Sequence, residues 1–189
     1  MLKSEKVILR PGRREDVARQ HEFGQDIELY GLNCAFPHFS SLEKAQSDFE
    51  TSIQEPDENS EWFAIEADGN YIGNCCLIGL HNRHGNLELG IVIGDRDYWG
   101  RGYGRQAIQL LLHYGFHYLG ARRIVLTTHA KNERAIRCYR ACGFVEEGRP
   151  RQAIWIEGEY VDLVNMALLR AEWQAPGAEI VGRAISPSA

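Results

Sequence analysis

Several things are scarce in this chain, and each scarcity excludes something. No apolar run approaches the ~20 residues that a bilayer-spanning helix needs, so no membrane partner is expected. The first residues, Met1-Leu2-Lys3-Ser4-Glu5-Lys6, hold no apolar core of a secretory signal, which makes the cytoplasm the expected location. Positive charge is not in surplus: 21 Lys and Arg stand against 26 Asp and Glu, a formal net charge of −5. That balance argues against nucleic-acid binding through a basic surface and suits a cationic ligand such as an amine. The five cysteines (Cys34, Cys75, Cys76, Cys138 and Cys142) include no Cys-x-x-Cys pair, so they read as reduced, mostly buried thiols and not as zinc ligands. His113 and His117 have ligand-like spacing on a helix but lack a third ligand, so no metal is expected. No internal repeat is visible.

What is present fits one domain with a sizeable core: 189 residues, 44% hydrophobic and 25% charged. The domain is expected over residues 1–173. Residues 174–189, rich in Pro, Gly and small side chains, read as a mobile tail.

The most informative stretch is Tyr98-Trp99-Gly100-Arg101-Gly102-Tyr103-Gly104-Arg105. A strand pattern, Leu87 to Gly94, precedes it and an amphipathic helix pattern, Ile108 to Leu119, follows. Strand, glycine loop and helix together aim unpaired backbone N–H groups at an anion. Glycines let the backbone approach a phosphate closely. Arg105-Gln106 after the last glycine rules against a P-loop, and Gly-x-Gly-x-Gly is not the dinucleotide fingerprint.

A second block lies beyond the strand Arg123–Thr128. Asn132 reads as an N-cap, Ala135, Ile136 and Tyr139 share a helical face, and Gly143 stops the helix before Phe144.

Together the two blocks resemble the Gcn5-related N-acetyltransferase family, in the branch of ribosomal-protein-alanine and spermidine-type enzymes. The loop matches its Gln/Arg-x-x-Gly-x-Gly/Ala pattern, with Trp99 replacing Gln or Arg; the second block matches Asn-x-x-Ala-x-x-x-Tyr followed by Gly-Phe. The resemblance covers residues 5–173 and implies acetyl-coenzyme A as cosubstrate, a primary amine as acceptor, direct transfer in a ternary complex, and a homodimer. It implies an α+β fold with a mixed, mostly antiparallel central sheet flanked by helices. Cofactor contacts are expected from Val92, Ile93, Gly94, Gly100, Arg101, Gly102, Tyr103, Gly104, Arg105, Asn132, Arg134 and Ala135. Among these, a backbone N–H at Ile93 or its neighbour would polarise the thioester carbonyl, and Asn132 would bind the pantetheine or its thiol end.

Tyr139 occupies the family's general-acid position; the other reading is a core aromatic. A phenol, with a pKa near about 10, stays protonated at neutral pH and can serve a leaving thiolate. The acceptor, an alkylammonium at pH 7, must lose a proton, and Glu88 is the candidate base. It could equally be a structural carboxylate or a group that only binds the cation. Glu66 and Asp162 are weaker alternatives. His129 either lines the cleft or holds a loop, and Tyr30, Phe36, His38 and Trp62 are either acceptor-pocket or core residues. A non-catalytic acyl-coenzyme A sensor on the same fold is the competing reading.

Overall fold

The computed structural model describes residues 1–34 and 39–174. Phe36, His38 and nearly all of the expected tail lie outside them.

Ten strands and five α-helices are present among the described residues. In chain order they are β1 (Leu2–Lys3), β2 (Ile8–Arg10), α1 (Asp16–Gly24), α2 (Ile27–Leu32), α3 (Leu42–Gln54), β3 (Ser60–Ala67), β4 (Asn70–Ile78), β5 (Asn86–Ile93), α4 (Tyr103–His113), β6 (Arg123–His129), α5 (Glu133–Ala141), β7 (Val145–Gly148), β8 (Ile154–Ile156), β9 (Glu159–Val161) and β10 (Leu163–Leu169). Eight strands form one sheet in the order β1-β2-β3-β4-β5-β6-β10-β7, and β8-β9 form a separate hairpin. Every neighbouring pair is antiparallel except β5-β6. This is the mixed, mostly antiparallel α+β architecture expected from the sequence.

Local chemistry explains most boundaries. Asp68-Gly69 turns β3 into β4 with φ of 52° and 77°, the twist a tight hairpin favours. Ser41 caps α3 by accepting from Lys44 N–H at 3.2 Å. From sequence alone, the polar run from Arg13 to about Tyr30 predicts a single helix; the structure divides it into two. Asp26 accepts from Leu29 N–H at 3.1 Å and so starts α2 afresh after Gly24. The helix after the glycine loop begins at Tyr103 and relaxes into a π turn over Tyr114–Tyr118. There Gly115 packs so tightly that a Cβ would lie 2.7 Å from Ile124 Cδ1.

From sequence alone, Ile154–Ile156 and the run from Tyr160 to Leu168 predict a terminal hairpin turning at Glu157-Gly158-Glu159. That run divides at Asp162, whose carboxylate accepts from Gln152 N–H and whose carbonyl accepts from Ala130 N–H, each at 2.9 Å. Its second half, β10, inserts between β6 and β7 in the main sheet.

The core lies between the sheet and α4-α5. Leu87 and Leu89 of β5, Ile124 and Leu126 of β6, and Leu110, Leu111 and Phe116 all bury there. On the opposite face α1 packs on β4 and on the residue that follows β5: Phe23 stacks on Tyr71, and a Cβ at Gly94 would fall 2.1 Å from the Phe23 ring. No described helix is long and apolar enough to cross a membrane.

Candidate active site

The site arises from a fork in the sheet. β5 and β6 pair only through Asn86, Leu87 and Glu88 against Arg123, Ile124 and Val125. Beyond Glu88, β5 stays on β4 while β6 follows β10, so the two strands part. Between them lies a cavity of about 470 Å³, walled by β5, β6, the glycine loop and α5.

Ladder geometry decides which backbone groups face this opening. Gly94 N–H donates to Ile72 carbonyl at 2.9 Å, so alternation commits Val92 and Gly90 to β4 as well. Leu89, Ile91 and Ile93 therefore turn their N–H and C=O groups away from β4, toward the fork. The Ile93 carbonyl is engaged: Trp99 Nε1–H donates to it at 2.7 Å. The Ile93 N–H is left as the donor at that point.

The glycine loop closes one end of the cavity. Gly100 and Gly102 have φ of 71° and 88°, a backbone in which a side chain would be strained. Gly102 is the N-cap of α4 and carries no side chain to bond the first turn. The first helical bond among α4 residues runs from Gln106 N–H to Gly102 carbonyl. The N–H groups of Tyr103, Gly104 and Arg105 are thus the helix's unpaired donors, beside an open cavity. Their chemistry fits a pyrophosphate.

Of the residues expected from the sequence, Glu88, Val92, Ile93, Gly100, Gly102, Gly104 and Arg105 line this one cavity. So do Asn132, Arg134, Ala135 and Tyr139. Three others do not. Gly94 is covered by Phe23. Arg101 turns back, donating to Asp97 carbonyl at 3.1 Å. The Tyr103 ring packs in the core and its hydroxyl donates to Asp68 at 3.1 Å, leaving only its backbone N–H for a ligand.

Glu88 sits where the strands part, opposite Val125 and on the face away from Leu87 and Leu89. Tyr139 is buried, and removal from water pushes its phenol well above the ordinary range, with the Cys138, Cys34 and Cys142 thiols adding to the rise. Asn132 has two structural bonds: its side-chain oxygen accepts from Ala135 N–H at 3.2 Å, and Nδ2 donates to Leu32 carbonyl at 3.0 Å. One amide hydrogen remains for a ligand.

Glu66 and Asp162 are engaged elsewhere, Glu66 by Arg10 at 2.5 Å and Asp162 by Gln152. Tyr30 and Trp62 do not line the cavity, and Trp62 is exposed. His113 and His117 stack on each other, and no group of three or more potential metal ligands occurs among the described residues. His129 is buried and neither ring nitrogen has a hydrogen-bond partner among the described residues, so the structure shows no loop hydrogen bond for it there.

Sequence reasoning missed the function of Trp99. Its ring carries two guanidinium groups against it, Arg134 at 3.6 Å and Arg96 at 5.1 Å from the centroid. Arg96 in turn bonds Asp26 and Glu28 at the start of α2, at 2.7 and 2.8 Å. Together with Asn132 on Leu32, this ties both ends of α2 to the loops that wall the cavity. The available signal was chemical: Gln, Arg and Trp all carry side-chain N–H donors.

An acetyltransferase (GNAT) domain model matches residues 6–145. The spermidine N(1)-acetyltransferase of Escherichia coli K12 is 28% identical over 179 residues, covering 93% of this chain and 94% of that protein. Its counterpart from Vibrio cholerae is 29% identical over 170 residues, covering 88% and 95%. The crystal structure of spermidine N-acetyltransferase from Vibrio cholerae in complex with CoA and spermine superposes with a TM-score of 0.79 at 27% identity, covering 88% of this chain and 97% of that one.

Proposed function

The chain belongs to the acetyltransferase (GNAT) family and is an acetyl-CoA-dependent N-acetyltransferase acting on an amine; from that premise we propose that its acceptor is a polyamine and that Tyr139 and Glu88 carry the proton transfers. The observation that carries this reading is the fork itself: Glu88, Tyr139 and the free N-terminus of α4 share one cavity. A non-catalytic acyl-CoA sensor is not favoured.

In this reading the N–H groups of Tyr103, Gly104 and Arg105 hold the pyrophosphate, with the Arg105 and Arg134 side chains at the same cavity wall. The Ile93 N–H, or the Ile91 N–H one repeat earlier, polarises the thioester carbonyl. Glu88 accepts the ammonium proton, directly or through water, so that the nitrogen has a lone pair for attack. The C–N bond forms, and the C–S bond then breaks.

Tyr139 donates a hydrogen bond to the departing sulfur. A free thiol has a pKa near about 8.5, below the raised phenol, so net proton loss from Tyr139 alone would be uphill. The phenol therefore passes its proton on only as it regains the one that the acylated nitrogen releases. Substrate atoms and protons balance without a metal or an external oxidant.

The polyamine assignment is supported by the relatives' acceptor, by a carboxylate in the cavity wall and by the net charge of −5. Pairing of two copies belongs to the same proposal: Trp155 and Tyr160 stand exposed on the β8-β9 hairpin, 47% and 63% accessible. Light scattering of the pure protein tests it, and a monomer mass would overturn it.

The functional test is thiol release from acetyl-CoA with polyamines, aminoglycosides, amino acids and N-terminal peptides, with CoA binding measured by calorimetry. Turnover confined to polyamines is expected. Turnover confined to another class would overturn the acceptor while leaving the transferase intact.

A further inference from the structure

One nucleophile in the cavity wall takes no part in the proton transfers. Cys138 lines the cavity and is half-buried, so a ligand that enters the cavity can reach it. Cys34, Cys75, Cys76 and Cys142 do not line it.

The surroundings of Cys138 are cationic. Arg134 stands four residues earlier on the same face of α5, and Arg105 lies in the first turn of α4; both line the same cavity. Cys142 follows the last residue of α5, and its Sγ is 4.0 Å from the Arg105 carbonyl, which sets this end of α5 against the start of α4. A bond from the Cys142 S–H draws the Cys138 thiol below its ordinary value; burial opposes this, and the charges of Arg105 and Arg134 reinforce it. Partly exposed thiols beside arginines are the reactive ones. The sheet thiols are the reverse: burial pushes Cys76 up to about 11 and Cys75 well above its ordinary value.

We propose that Cys138 is a modification site for small, negatively charged disulfides of the oxidised-glutathione class, and that the adduct closes the cofactor seat. The Cys138 thiolate attacks one sulfur of the disulfide. A bond from Sγ to that sulfur forms, the original S–S bond breaks, and the other half leaves as a thiolate with the electron pair. The disulfide is the oxidant, and no other is needed. Its carboxylates pair with Arg105 and Arg134, beside the N–H groups that receive the pyrophosphate. Adduct and cofactor therefore exclude each other, a consequence that rests on the pyrophosphate reading above. Cys142 does not resolve the adduct. Cβ atoms four apart on a helix lie about 5–6 Å from each other, beyond the ~3.5–4.5 Å that a disulfide spans. The mixed disulfide persists until an external thiol removes it.

The test treats the reduced protein with oxidised glutathione and with cystamine, a dicationic disulfide. Adducts are read by intact mass and peptide mapping, and CoA binding by calorimetry. A single adduct on Cys138 is expected. Corrected for their rates with a free cysteine peptide, oxidised glutathione should react about tenfold faster than cystamine, and Arg134→Gln should remove most of that preference. Saturating CoA should suppress the adduct, and the adduct should abolish CoA binding until dithiothreitol restores it. Cys138→Ser should take no adduct, and oxidised glutathione should leave its activity unchanged. No adduct on Cys138, an adduct formed as fast on Cys34, or no preference for the anionic disulfide would overturn the site. An adduct on Cys138 that leaves CoA binding intact would overturn the closure of the cofactor seat. If the reduced protein binds no CoA, the pyrophosphate reading fails, while the mass map still decides whether Cys138 is modified.

Discussion

The indole of Trp99 donates to the carbonyl of Ile93 at 2.7 Å, across the junction of the glycine loop and the free edge of β5. One bond thereby fixes two things: where the loop sits, and which backbone group β5 presents to the fork. Trp99→Phe keeps a ring for Arg134 and removes the donor. A half-buried carbonyl losing its partner costs about 1–3 kcal/mol. If that cost falls on cofactor binding, KM for acetyl-CoA rises about tenfold or more, with Tm lowered by only a few degrees. An unchanged acetyl-CoA KM in this variant would show that the bond serves the loop's own folding and not the cofactor edge.

Tyr139 is buried against Phe144, ring centroids 6.1 Å apart, and it also lines the cavity, so core and catalytic readings both fit its position. Tyr139→Phe separates them because it deletes only the hydroxyl. Loss of a positioned acid typically costs ~10²–10⁴ in rate. We expect kcat to fall within that range while calorimetric CoA affinity and Tm hold. Full activity in the phenylalanine variant would leave Tyr139 as packing alone.

For Glu88 the competing roles are base and cation anchor, and pH distinguishes them. A missing base is compensated where the amine is already neutral, so Glu88→Gln should be slow at pH 7 and recover toward wild-type turnover as pH approaches the amine's own pKa, near about 10. A missing anchor raises the acceptor KM at every pH where the amine is charged and leaves kcat alone. Rate profiles from pH 6.5 to 9.5 under saturating acceptor decide between the two patterns.

Local signals were legible in the sequence and long-range pairing was not. Asp68-Gly69, Ser41, Asn132 and the positive-φ glycines 102, 120 and 143 act within a few residues of themselves, and each does what its chemistry dictates. β10 shows the limit. Val164, Met166, Ala167 and Leu168 are all buried, more than a two-stranded hairpin can cover, and only insertion between β6 and β7 hides them. β7 itself, Val-Glu-Glu-Gly, carries no alternation strong enough to announce a strand. In the site, the glycine loop could be named from its backbone chemistry, Glu88 as a carboxylate on a strand leading to that loop, and Tyr139 from its place in the family resemblance; all three line one cavity. The grip on both ends of α2 could not, since Arg96 with Asp26 spans 70 positions and Asn132 with Leu32 spans 100.

The base of the fold holds a buried ion pair whose response to acid follows from its geometry. Arg10 donates to both oxygens of Asp16, at 2.7 and 2.8 Å, and both side chains are almost wholly buried. Burial pushes the Asp16 carboxyl up, but the bonds from Arg10 and from Arg13 N–H outweigh it and hold the net value below the ordinary carboxylate range. The unfolded chain therefore binds this proton more readily than the folded one. The stability so gained is fully present above the unfolded value, near about 3.9, and is lost as pH falls through the lower folded value. Asp16→Asn removes that dependence and leaves Arg10 buried with Glu66 as its remaining carboxylate. Breaking such a pair on one side costs about 3–5 kcal/mol. Urea unfolding at pH 7 should show a loss of that order, and the gap between wild type and Asp16→Asn should narrow as pH drops below 4. A gap that stays constant down to pH 2.5 would mean that Asp16 titrates alike in both states, and that its bonds to Arg10 add nothing to the folded form.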